Sequence, residues 1–80
     1  MKSRDYYERL FSNYPDVVTL PEFRKMLGGI GDSTARKLIR ANHVQHYRIR
    51  DTYLIPKQSA IAYVLSKHYA EYSKKLKVQI

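Results

Sequence analysis

The chain is 80 residues long, with 15 Lys and Arg against 7 Asp and Glu, a formal charge of +8. That length builds one small domain with a modest core, and so basic a balance points to a polyanionic partner, of which nucleic acid is the commonest. The absence of Cys excludes a disulfide framework and a thiolate zinc site, and no apolar run approaches the roughly 20 residues of a membrane span. Met1, Lys2, Ser3 and Arg4 lead into a polar stretch where a secretory signal needs an apolar one, so a soluble, unprocessed protein of the cytoplasm is expected.

Residues 1–16 read as a helical extension. Tyr6, Tyr7, Leu10 and Phe11 fall on one side of a short helix over 5–13, and Asn13, Tyr14, Pro15 and Asp16 end it as a turn. Lys2, Arg4 and Arg9 would suit an arm laid along DNA. That arrangement leaves four large apolar groups in water, so packing against the core is the better expectation.

A second helix starts where Thr19 and Glu22 take capping-box spacing, with Pro21 tolerated in the first turn because its missing N–H has no partner to lose. Leu20, Phe23, Met26 and Leu27 face inward, and Gly28 with Gly29 stops the helix by adopting positive φ. Ile30 and Gly31 then connect to Asp32 or Ser33, either of which is a good cap, so two helices stand a few residues apart as a helix-turn-helix.

The stretch 31–42, wound as a helix, has two faces. Ala35, Leu38 and Ile39 form a short apolar stripe, while Ser33, Arg36, Lys37 and Arg40 repeat the same spacing on the opposite side. Three cations on one ridge behind a Ser/Thr-rich start have the make-up of a major-groove reading helix, whose first residues reach base edges and whose cations meet phosphates. A solvated surface face has the same composition.

After Asn42, a candidate left-handed cap, the pattern alternates. His46, Arg48 and Arg50 point one way and Tyr47 and Ile49 the other; Asp51 and Thr52 turn the chain, and Tyr53, Leu54 and Ile55 follow, which predicts a hairpin of the size called a wing. Pro56 ends it and opens one last helix, on which Ile61, Val64, Leu65, His68, Tyr69 and Tyr72 keep the i, i+3, i+4, i+7 rule. From Ser73, residues 73–80 have no clear period and read as a frayed basic tail. The expected fold is mainly α with a small β-hairpin, a winged helix-turn-helix over 17–72.

Val18, Thr19, Leu20, Glu22, then Leu27, Gly28, then Ser33, Thr34, Leu38, Ile39, then Tyr47, Arg48, Ile49, then Tyr53, Ile55, Pro56 and Lys57 together resemble the excisionase-type helix-turn-helix family, relatives of the DNA-binding heads of the mercury-resistance regulators. The resemblance covers about residues 17–65. It implies sequence-specific binding of double-stranded DNA by a protein of a mobile element or prophage, either beside an integrase or recombinase in excision or as a small transcription regulator. It places Ser33, Thr34, Arg36, Lys37 and Arg40 on the reading helix, and Arg48, Arg50, Thr52 and Tyr53, with Lys57 beyond them, on the wing. Three positions depart from the family's pattern: Gly29 is an extra residue in the turn, Arg24 stands where a small Ala is usual, and Arg50–Asp51 replaces a Gly-rich wing tip.

Other chemistry finds less support. His43 and His46 have half of a zinc site's spacing, but the only nearby carboxylate is Asp51, so no metal is expected. His68 reads as a partly buried core histidine. No Gly-flanked nucleophile, paired carboxylates or Gly-rich phosphate loop is present, so neither an enzyme nor a cofactor is expected. Most of the eight Tyr residues sit at core spacing in helices, which argues against a platform for single-stranded bases. The alternative to DNA binding is a protein-interaction module whose basic surface docks an acidic partner, with the last helix pairing two copies.

Overall fold

A computed structural model describes residues 3–76. Among them the chain forms five helices and one three-stranded antiparallel sheet, packed around a single core. The first helix, α1 (Arg4–Leu10), is capped by Ser3, whose hydroxyl accepts from the Tyr6 N–H. It is shorter than the 5–13 its sequence predicts, and only one of its two i, i+4 lines is buried: Tyr7 and Phe11 pack inward, whereas Tyr6 and Leu10 remain 42% and 45% exposed. Two turns of helix offer one contact stripe, and the neighbouring line is left on its flank.

The strand β1 (Val17–Thr19) is absent from the sequence reading, although three consecutive β-branched residues are its signal. Thr19 ends β1 and caps α2 (Leu20–Met26) in a complete capping box: the Glu22 N–H donates to Thr19 Oγ1, and the Thr19 N–H donates to Glu22 Oε1 at 2.9 Å. Gly28 and Gly29, both at φ +88°, close the helix as a Schellman motif, their N–H groups donating to the carbonyls of Lys25 and Arg24. The turn reaches α3 (Asp32–Arg40) after five residues, 27–31. Contrary to the sequence reading, neither Asp32 nor Ser33 caps α3; Gly31 occupies that position without a side-chain bond, and Asp32 becomes the first helical residue. A carboxylate there still favours the helix through the dipole. Asn42 ends α3 at φ +61°, the left-handed conformation expected of it, with the His43 N–H donating to Leu38.

The hairpin is β2 (Tyr47–Ile49) and β3 (Thr52–Pro56), and β3 is central because β1 pairs along its other edge. Register sets Val18 opposite Ile55 and Arg48 opposite Tyr53, so these four share the core-side face. Tyr47 and Ile49 lie on the outer face, opposite Leu54 and Thr52, and are 62% and 59% exposed.

The last helix is two helices. Pro56 opens α4 (Lys57–Val64), but the chain breaks after Val64 and resumes as α5 (Lys67–Leu76). Ser66 causes the break: its hydroxyl donates to the Tyr63 carbonyl, ending α4, and accepts from the Tyr69 N–H at 3.2 Å, capping α5. The apolar period runs through this corner because both helices bury the same stripe, with Ala60, Ile61, Tyr63, Val64 and Tyr69 all inside. Helix α5 extends into the stretch predicted to be a frayed tail; of that stretch, 77–80 lies outside the described residues. None of the described helices is long and apolar enough to cross a membrane.

Candidate nucleic-acid interface

The outward side of α3 follows from its inward side. Ala35, Leu38 and Ile39 are at most 3% exposed, so the helix is anchored along one stripe and Ser33, Lys37 and Arg40 are held in solvent on the other. Thr34 and Arg36 stand between the two and are half-buried. Arg36 is the predicted contact residue whose surroundings differ most from a free surface cation. Its Nε donates to Asp32 Oδ2 at 2.7 Å, and its guanidinium lies 5.8 Å from the centre of the Tyr53 ring.

Tyr53 is not displayed on the wing, where the resemblance places it as a contact. It is 7% exposed, because register puts it on the core-side face, and its ring meets His46 edge-on at 5.7 Å. The guanidinium of Arg48 lies 5.6 Å from the same ring, so the side chains of two arginines, one from α3 and one from β2, converge on it. This arrangement ties the helix to the hairpin.

The hairpin tip carries the clearest departure from local rules. Arg50 and Asp51 form a two-residue loop in which only Arg50 has positive φ, at +57°, and a loop with that demand at its first position ordinarily takes Gly. An Arg held there carries strain of order 1 kcal/mol, of the kind found where a side chain has a task. The Arg50 carbonyl accepts from Arg48 Nε at 3.2 Å, and Arg48 Nη2 lies 3.9 Å from Asp51 Oδ1, leaving the Arg50 side chain in solvent. Thr52 is also exposed.

Lys57 falls elsewhere. It follows Pro56 into α4, where its Nζ donates to the Tyr14 carbonyl at 3.1 Å and its backbone N–H donates to Asp16 at 2.7 Å. It closes the turn after α1 rather than extending the hairpin, because the strand ends one residue before it.

The sequence reading gives Asp32 only a capping role and Arg24 no task. Arg24 Nε donates to the Ile30 carbonyl at 2.9 Å and its Nη1 lies 4.0 Å from Asp32, so this large cation braces the turn that holds Gly28 and Gly29. The i, i+4 spacing of Asp32 and Arg36 is the signal for the other pair. Asp32 and Arg36 of α3, Thr19 and Pro21 at the start of α2, and Asp51 and Thr52 of the hairpin line a cleft of about 200 Å³. That is below the ~300–1,000 Å³ of ordinary small-molecule sites.

At the other end of α3, His43 stacks on His68 with ring centres 3.7 Å apart, and His68 stacks on Tyr72 at 5.3 Å. Tyr63 lies 2% exposed beneath them with its hydroxyl 3.0 Å from His68 Nδ1. Burial, with the neighbouring Tyr72 and Tyr69, pushes the Tyr63 hydroxyl up to about 12, so it stays protonated while it shares a hydrogen bond with that nitrogen. The predicted core character of His68 agrees with its half-buried position. His43 and His46 do not converge, since His46 packs on Tyr53, and no three metal-ligating side chains gather among the described residues.

Comparison with known protein families, with curated proteins and with solved structures finds no match to this chain.

Proposed function

We propose that this protein is a winged helix-turn-helix that binds double-stranded DNA, with α3 in the major groove and the β2–β3 hairpin as the wing. The observation that carries the reading is the Tyr53 bridge: Arg36 from α3 and Arg48 from β2 meet on one buried ring, so a helix with exposed cations and an Arg-tipped hairpin are held as one rigid unit. A duplex presents phosphates on both sides of a groove, and a helix and wing already held together meet them with little ordering cost on binding. The net charge of +8 and the strained Arg50 at the tip support the same reading.

Within it, Ser33, Thr34, Lys37 and Arg40 are the reading-helix contacts, and Arg48, Arg50 and Thr52 are the wing contacts. Arg36 and Tyr53 position the two, and Lys57 anchors α4. The resemblance to excisionase-type proteins extends the proposal to a cytoplasmic role on a mobile element, in excision beside an integrase or in transcription.

The test is a titration on duplex DNA at several salt concentrations. Lys37, Arg40, Arg48 and Arg50 meeting one phosphate each give a slope of log K against log[salt] of about −3.5, and Lys37→Ala or Arg40→Ala reduces its magnitude by about one with an unchanged melting temperature. Absence of duplex binding, with capture of an acidic protein instead, supports the interaction-module alternative.

A further inference from the structure

Of the five large apolar residues exposed among the described residues, two, Tyr47 and Ile49, stand on the three-residue strand β2. Ile49 is 59% exposed, is the last residue before the two-residue loop, and is flanked in sequence by Arg48 and Arg50. A β-branched apolar side chain on the outer face of an edge strand gains nothing from the core and exposes the strand to aggregation. A protein partner covering it would have to bury or pair the two adjacent guanidiniums, whereas a nucleic-acid groove offers phosphates to the cations and base faces to the apolar group.

We infer that Ile49 is a wedge: the wing enters the minor groove and Ile49 presses between two base pairs, partly unstacking them. The inference rests on the DNA-binding reading and adds to it a source of sequence preference. Arg48, on the core-side face of the strand, and Arg50, in the loop, hold the groove walls by charge. Ile49, on the opposite face, meets the bases. Unstacking costs least at pyrimidine–purine steps, so the wing selects a flexible TA or CA/TG step without a hydrogen bond to any base. Tyr47 lies two residues back along the strand, at its far end from the loop, and stays outside the groove.

The experiment uses the full chain and a duplex of about three helical turns recovered by binding selection from a random pool, at about 50 mM salt, with 2-aminopurine substituted in turn at each flexible step. Wild type raises the fluorescence at one step, and replacing that step by a GC step weakens binding roughly tenfold. Ile49→Thr keeps the β-branch the strand favours and removes the apolar reach; it abolishes the fluorescence rise and the step preference while the fold and the salt slope stay as they were. Ile49→Leu restores both, and Tyr47→Ala leaves both intact. If wild type binds the duplex and no step brightens, or if Ile49→Thr behaves as wild type, the wedge is overturned while the DNA-binding reading stands, and the outer face then belongs to a protein partner. If selection recovers no duplex, both fall together.

Discussion

The two ends of α3 are held by different chemistry. At its first turn Asp32 draws in Arg36 and Arg24, and Arg36 reaches the Tyr53 ring, through side chains that water still touches: Arg36 is 40% and Asp32 50% exposed. Beyond its last turn the chain is fixed by rings, with His43 on His68 and Tyr72 and the buried Tyr63 hydroxyl on His68 Nδ1. Exposed ion pairs contribute about 0–1 kcal/mol each, whereas aromatic contacts add about 0.5–1.5 kcal/mol beyond the area they bury. The C-terminal end therefore fixes where the helix lies, and the pairs at the N-terminal end can be altered at small cost to the fold.

The largest expected effect lies between the two ends. Leu38→Ala removes a 3% exposed side chain from the middle of the helix and should destabilise the fold by about 2–5 kcal/mol in denaturant melts. An unchanged curve would mean that the ends alone hold α3. Next comes Tyr63→Phe, which leaves the ring and deletes the hydrogen bond to His68, at about 1–2 kcal/mol with duplex binding intact on the folded fraction.

Arg50→Gly works on the other side of the comparison and in the opposite direction. Glycine accepts φ +57° freely, so the hairpin should gain about 0.5–1 kcal/mol in stability while the DNA salt slope falls in magnitude by about one. A gain in stability without loss of binding would take the tip off the DNA. Asp32→Asn has a smaller effect on the fold, under about 1 kcal/mol, since the pairs it breaks are half-exposed. On the proposed DNA-binding reading it should tighten duplex binding about two- to fivefold at low salt by removing a carboxylate from beside the reading helix's cations. Looser binding would instead make Asp32 the group that aims Arg36.

The local parts of this arrangement are legible in the sequence, and the parts that join distant residues are not. The capping box at Thr19, the paired glycines, the left-handed Asn42 and the apolar stripe of α3 are local signals, each set within four or five residues, and the structure keeps them. The strand β1 needs a partner 37 positions away, as in Val18 opposite Ile55, and three residues carry too little periodicity to reveal it. The break at Ser66 was masked because the apolar period continues across it. For the site, charge and spacing locate the exposed Lys37, Arg40 and Arg50, but cannot separate a displayed Arg from one turned onto a ring. That distinction depends on the register that places Arg48 beside Tyr53. The histidine stack joins residues 25 positions apart and has no sequence signature.

The smallest effect is the pH dependence of that stack. Burial first and the neighbouring His43 second lower the His68 pKa below its ordinary 6.5, with Glu71 acting in the opposite sense; the Tyr63 hydroxyl against the ring is kept protonated by its own burial, and the Tyr72 ring stacks on the other side. The folded state thus favours the neutral imidazole and the unfolded chain binds its proton more readily. The stability so contributed is full above 6.5 and is lost as pH falls through the interval between 6.5 and the lowered folded value. The melting temperature should therefore drop on going from pH 7 to about pH 5 by more in wild type than in His68→Phe, which keeps a ring between His43 and Tyr72 but cannot titrate. Carboxylates elsewhere affect both proteins alike, so the difference between the two curves isolates the histidine. A contrary sign, with wild type gaining on His68→Phe as the solution is acidified, would show that Glu71 outweighs burial and His43, and that charge rather than ring packing holds the C-terminal end of α3 as well.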